Sequence, residues 1–226
     1  MTLREGVTRF EARHSDGPLP ARRFGAAATA LAGWRSIMAD LGLVGQDAAR
    51  YDGAGYGNVS IRVGPFPGRR GARPFLISGT QTGGRACVGL DDFALVERYV
   101  IAENRVVSRG PIRPSSESMT HGAVYDLGGH IRCVLHAHCP TIWRRRAVLK
   151  LPTTAAHIDY GTPEMAREIE RLARSTALLA RPLLAMGGHE DGVIAFGRNP
   201  DEAGRMLVAT LAAARARVFT EDGRVC

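Results

Sequence analysis

A chain of 226 residues with 45% hydrophobic and 23% charged residues has the composition of a globular domain, which excludes a disordered or collagen-like chain. Its formal charge of +8 comes almost wholly from arginine, Lys150 being the only lysine; the arginines are scattered, aromatics make up 6%, and no nucleic-acid-binding motif is present. A basic field that attracts a small phosphorylated substrate is the better reading, with no nucleic acid and no membrane as partner, since no apolar run approaches the roughly 18–20 residues of a span.

Residues 1–24 carry Pro18, Pro20 and mixed charge, lack an apolar stretch of the secretory type, and read as an extended N-terminal arm. From Gly25 to Leu43 apolar side chains recur at helical spacing (Ala27, Leu31, Trp34, Met38), and Gly42 closes the run. A glycine-dense stretch, Tyr51–Asn58, leads into a predicted strand, Val59–Val63, and Phe75–Ser78 predicts a second. Between Ser78 and Gly84 lies another Gly/Thr loop. Asp91–Ile101 reads as a short helix and Arg105–Ser108 as a strand.

Ser115–Leu127 is predicted helical, Ile131–Ala137 is the densest strand pattern, and Cys139–Leu149 reads as a helix opened by Pro140. Thr162-Pro163-Glu164 is a cap, a first-turn proline and an acid, so a helix runs from there to about Leu179. Pro182–Met186 and Val193–Phe196 form a strand pair around a glycine-rich turn, and Asn199 caps a last helix to about Phe219, with a tail over 220–226. No linker divides two cores. The pattern is that of one layered α/β domain over 25–219.

The four cysteines (Cys87, Cys133, Cys139, Cys226) form no CxxC pair and fit a reduced, cytoplasmic setting. Chemistry concentrates elsewhere. In His136-Ala137-His138 two imidazoles leave the same face of a strand end, about 6–7 Å apart at their α-carbons, and can converge on one ion. Such a pair is also an ordinary feature of strand ends. A third imidazole, His189, sits in the turn Gly187–Gly192, where glycines allow sharp backbone paths, and would complete a three-histidine site with an open position. Pro114-Ser115-Ser116-Glu117 precedes a helix and offers hydroxyls, backbone N–H groups and a carboxylate. The bland role of Glu117 is to complement the helix dipole.

The order of these motifs resembles the class II aldolase/adducin family: Gly57-Asn58-Val59-Ser60, Thr82-Gly83 after a strand, Ser115-Ser116-Glu117 with His121 and Tyr125 following, His136-Ala137-His138, Tyr160-Gly161-Thr162-Pro163-Glu164, and Gly188-His189 before Gly192-Val193-Ile194. The resemblance implies a central, mainly antiparallel sheet flanked by helices. It implies a divalent metal, usually zinc, on His136, His138 and His189, and an acid/base carboxylate at Glu117. It places Gly57, Asn58, Thr82, Gly83, Ser115 and Ser116 at phosphate-binding positions, with Thr80 an alternative in a slightly longer loop. His121 and Tyr125 are expected to orient Glu117 or to pack.

The activity implied is a lyase that cleaves a phosphorylated ketose by a retro-aldol reaction through a metal-stabilised enediolate. The same site serves an epimerase, dehydratase or decarboxylase of sugar phosphates or sugar acid phosphates, and a non-catalytic adducin-like module is a third reading. A homotetramer is the implied assembly. A Schiff-base route would have to use Lys150, around which no motif is found. Three departures from the family's pattern stand out: the arm before Gly25, Glu190 where glycine commonly follows the third histidine, and Tyr160 as the only tyrosine between 149 and 160, leaving the group that protonates the aldehyde unassigned.

Overall fold

A computed structural model describes residues 6–222, so residues 1–5 of the predicted arm and 223–226 of the predicted tail, Cys226 included, lie outside it. In chain order the elements are β1 (Glu11–Asp16), α1 (Ala21–Asp40), β2 (Gly45–Gln46), β3 (Gly55–Tyr56), β4 (Asn58–Arg62), β5 (Phe75–Ser78), β6 (Phe93–Val100) and β7 (Arg105–Gly110). There follow α2 (Ser118–Asp126), β8 (Cys133–His138), α3 (Pro140–Arg144), α4 (Pro163–Ser175), β9 (Leu183–Ala185), β10 (Gly192–Gly197) and α5 (Pro200–Asp222). Eight strands form one sheet in the order β1-β7-β6-β5-β4-β8-β10-β9, while β2 and β3 make a small separate hairpin. Every neighbouring pair in the large sheet is antiparallel except β1 with β7. No helix of the described residues is long and apolar enough to cross a membrane.

The sheet is covered on both faces, which is why its central strands read as continuous apolar runs. Alternation along β8 sets the two layers. Leu135 and Ala137 join one core with Leu31 and Met38 of α1 and Leu207 and Leu211 of α5. Val134 faces the other core, with Met119 and Val124 of α2 and Met165 and Ile169 of α4. His136 and His138 share the parity of Val134, so both imidazoles enter the α2–α4 layer.

The caps are made as their residues demand. Thr162 Oγ1 accepts the Met165 N–H at 3.2 Å behind Pro163, and Asn199 Oδ1 accepts the Glu202 N–H at 2.9 Å. Two expectations fail. Residues 91–101 are not a helix: Leu90–Asp92 is a single tight turn and Phe93–Val100 is β6, paired with β5 and β7. Phe93, Val96 and Tyr99 are β-branched or aromatic, and burial on both faces erased the alternation that would mark a strand. The helix opened by Pro140 is also shorter, ending at Arg144 before a run of turns to Lys150. At the N-terminus, β1 occupies a sheet edge although Glu11–Asp16 is polar, and α1 begins at Ala21.

Candidate metal centre

The centre is assembled where β8, the β9–β10 turn and the start of α2 meet. His189 Nε2 and His138 Nε2 lie 3.0 Å apart, and one potential ligand atom from each of His136, His138 and His189 falls within 4.8 Å of the other two. Two nitrogens held at about 2.0–2.1 Å from a tetrahedral ion are about 3.3 Å apart, close to the His138–His189 spacing. The His136 Nδ1–H donates to the Val193 carbonyl at 3.2 Å, which leaves the lone pair on Nε2. That nitrogen is buried and finds no hydrogen-bond partner among the described residues. Burial pulls the His136 imidazole down to about 4. Burial first, then the neighbouring cationic forms, hold His138 and His189 well below the ordinary histidine range. Three neutral imidazoles with converging nitrogens are the donor set a divalent cation needs, so the residues fit the group.

The glycines flanking His189 are required by close approach rather than by an unusual backbone angle. A Cβ on Gly187 would stand 2.2 Å from the Thr154 carbonyl oxygen, and one on Gly188 would stand 2.3 Å from that of Ile158. The segment 154–158 thus passes directly against the turn and fixes where His189 enters. Tyr160, two residues beyond it, lays its ring edge-on to His189 at 4.6 Å between centroids. Glu190, next in the chain after His189, is exposed.

Glu117 is fully buried, with Oε1 3.7 Å from His189 Nε2 and 3.9 Å from His136 Nε2. It occupies the N-cap of α2 rather than its first turn, and its N–H donates to Ser115 Oγ at 3.2 Å. His121 and Tyr125 follow one and two turns later but converge on a different atom: His121 Nδ1 and the Tyr125 hydroxyl each lie 2.7 Å from Ser60 Oγ of β4. Burial, reinforced by His136, keeps His121 well below its ordinary range. This buried trio ties α2 to the sheet beneath the carboxylate.

Beside the centre, Gly57, Asn58, Thr82, Gly83, Ser115 and Ser116 line one small polar pocket, together with Thr80 and Gln81. Asn58 is the cross-strand partner of His136, so the pocket abuts the histidines within the roughly 5 Å spacing of paired α-carbons. Thr82 donates its hydroxyl proton to the Gly79 carbonyl at 2.8 Å. Packing dictates two glycines here: a Cβ on Gly57 would meet the Leu43 carbonyl oxygen at 2.9 Å, and one on Gly83 would meet that of Gly45 at 2.2 Å.

Two contributors escape a reading of the sequence. Arg35 of α1, 2% exposed, donates from Nη2 to the Thr82 and Gly83 carbonyls at 2.7 and 2.9 Å. Its position in the stripe Phe24, Ala28, Leu31, Arg35, Met38 was the available signal, an arginine where the helix turns inward. The arm is the second. Gly6 lines the polar pocket, the Val7 N–H donates to the Tyr160 hydroxyl at 3.0 Å, and Arg9 pairs with Asp159 at 3.0 Å over the Tyr160 ring.

With this geometry in view, the sequence profile of the Class II Aldolase and Adducin N-terminal domain matches residues 45–218. The chain belongs to this family. No curated protein matches it in sequence. Among solved structures, the class II aldolase/adducin chain is similar to L-fuculose-1-phosphate aldolase from Thermus thermophilus, at 20% identity, a TM-score of 0.59, and coverage of 88% of this chain and 98% of that one. It is similar to YgbL from Escherichia coli, a proposed aldolase/epimerase/decarboxylase, at 12% identity and a TM-score of 0.64, covering 89% and 93%. The sugar-phosphate aldolase from Thermotoga maritima aligns at 16% identity and a TM-score of 0.59, covering 84% and 93%. At these identities the likeness establishes the fold, a sheet between helical layers as the family resemblance implied.

Proposed function

We propose that this class II aldolase-type chain is a metal-dependent lyase that cleaves a phosphorylated ketose by a retro-aldol reaction. The observation that carries the reading is the buried Glu117 carboxylate within 3.9 Å of two of three converging imidazoles, beside a polar pocket. His136, His138 and His189 hold the cation, zinc by the chemistry of a three-histidine set with an open position. Bound there, it supplies a Lewis acid for the carbonyl adjoining the bond that breaks.

The chain's own groups do the rest. Asn58, Gly57, Thr82, Gly83, Ser115 and Ser116 take the phosphate and so decide which carbon reaches the histidines. Arg35 stiffens that pocket from behind. In cleavage the β-hydroxyl gives up its proton as its oxygen becomes the aldehyde carbonyl. The electron pair of the broken carbon–carbon bond stays on the carbon next to the ketone carbonyl, and Glu117 delivers a proton to that carbon, so one proton is released for the one taken up. The sheet and α2 bury Glu117 and the imidazoles, so water does not compete for that proton. Lys150 is exposed and outside the pocket, which supports the metal route over a Schiff base. The homotetramer implied by the family resemblance belongs to the same proposal.

Incubation of zinc-loaded protein with a panel of ketose phosphates tests the reading. A lyase releases an aldehyde and a shorter phosphorylated ketone. Inversion at carbon, loss of water or release of carbon dioxide, with no aldehyde, would move the assignment to an epimerase, dehydratase or decarboxylase on the same residues.

A further inference from the structure

On the side of residues 50–56, a group of side chains outside the polar pocket closes against the centre. Tyr51 lays its ring edge-on to His138, 4.6 Å between centroids. Its hydroxyl donates to Asp191 Oδ2 at 2.8 Å and accepts from Arg50 Nη2 at 2.9 Å. Asp191 lies two residues beyond His189 and is 5% exposed. Its backbone carbonyl accepts the N–H of Cys139, the residue after His138, at 2.8 Å. Asp191 therefore reaches the end of β8 twice, once through its backbone and once through the Tyr51 ring.

Arg50 balances the buried carboxylate. Its guanidinium lies 5.0 Å from the Tyr51 ring centre and 4.3 Å from that of Tyr56, and it donates to the Tyr56 hydroxyl at 2.9 Å. Both ends of the Tyr51–Asp191 hydrogen bond sit on left-handed backbone, φ 52° at Tyr51 and 61° at Asp191, and Asp52, the next residue after Tyr51, is left-handed as well at 55°. A tyrosine in that region is rare, and such conformations persist where surrounding contacts over-determine them, which is most often at functional sites.

We propose that Tyr51 and Asp191 are positioning residues of the metal centre: their hydrogen bond locks the end of β8 to the β9–β10 turn, holding the His138 and His189 nitrogens at ligating separation. Neither residue touches the ion. They act as the outer-shell partners that fix ligand rings elsewhere in metalloproteins. The inference rests on the metal reading given under the proposed function.

The test is zinc affinity, measured on the full chain by competition with a chromophoric chelator, with the visible spectrum of the cobalt-loaded protein as a second readout. Tyr51→Phe removes only the hydroxyl, and Asp191→Ala removes its acceptor; each should weaken zinc binding by about 10- to 100-fold and shift the cobalt bands. Asp191→Asn keeps an acceptor for the Tyr51 hydroxyl and should stay within about threefold of the parent. The Tyr51→Phe and Asp191→Ala double variant should be no weaker than the worse single one, because both act through one bond. Far-ultraviolet dichroism of the metal-free variants checks that the fold persists. A Tyr51→Phe variant with parental zinc affinity and cobalt spectrum overturns the brace while leaving the metal reading intact. A parent chain that takes up no zinc overturns the metal reading, and the brace with it.

Discussion

Acid should destabilise the metal-free fold through His136, and the size of the effect follows from its surroundings. The imidazole is fully buried between sheet and α2, its Nδ1–H satisfied by the Val193 carbonyl, and burial pulls it down to about 4. In the unfolded chain it titrates near 6.5. Above that value both states carry a neutral ring and the contribution to stability is fully present. As pH falls below about 6.5 the unfolded chain binds a proton that the fold excludes, so stability drops by about 1.4 kcal/mol per pH unit until the folded value near 4 is reached, about 3 kcal/mol in all.

His138, His189 and His121 act in the same direction, so the total slope is steeper. Asp126, which burial raises above its ordinary value, acts oppositely. The contribution of His136 is isolated by subtraction. Urea unfolding of chelator-treated parent and His136→Asn is followed from pH 7 to 4.5; asparagine does not titrate, and its amide can still donate to Val193. The stability difference between parent and variant should shrink by about 2–3 kcal/mol across that span. A difference that stays constant with pH would refute the claim that this imidazole is held neutral in the fold.

Other substitutions probe the remaining parts. Glu117→Gln keeps the shape of the buried carboxylate but cannot exchange a proton; turnover of a ketose phosphate should fall by about 10²–10⁴-fold while zinc content by elemental analysis is unchanged. Arg35→Met strips the Thr82 and Gly83 carbonyls of their donor, so thermal unfolding should report a loss of about 1–3 kcal/mol and KM for a phosphorylated substrate should rise more than kcat falls. Gly187→Ala forces a methyl against the Thr154 carbonyl oxygen; about 1–3 kcal/mol of stability should be lost by denaturant unfolding.

The side chains that converge in the candidate centre were legible because a metal-binding set needs specific residue types at specific spacings. A strand period of two put His136 and His138 on one face, and the glycines around His189 marked an unusual turn, although close backbone packing at 187 and 188, not the sharp path expected of them, is what requires them. Helix caps at Thr162 and Asn199 were legible for the same reason, since a hydroxyl or amide oxygen just before an apolar run has few other uses. What stayed hidden depended on long-range packing. β6 lost its alternation by being buried on both faces, and β1 is polar because it is an edge strand open to solvent. Arg35, Tyr51 and Asp191 are held by partners 47 to 140 residues distant, which no local pattern encodes.

Elemental analysis of the parent chain and of His136→Ala, each purified without chelator, equilibrated with zinc and desalted, shows whether the three imidazoles hold an ion. One divalent ion per parent chain and a near-empty variant are expected. A parent without metal, or a variant that retains a full equivalent, would mean that these histidines are not a metal site.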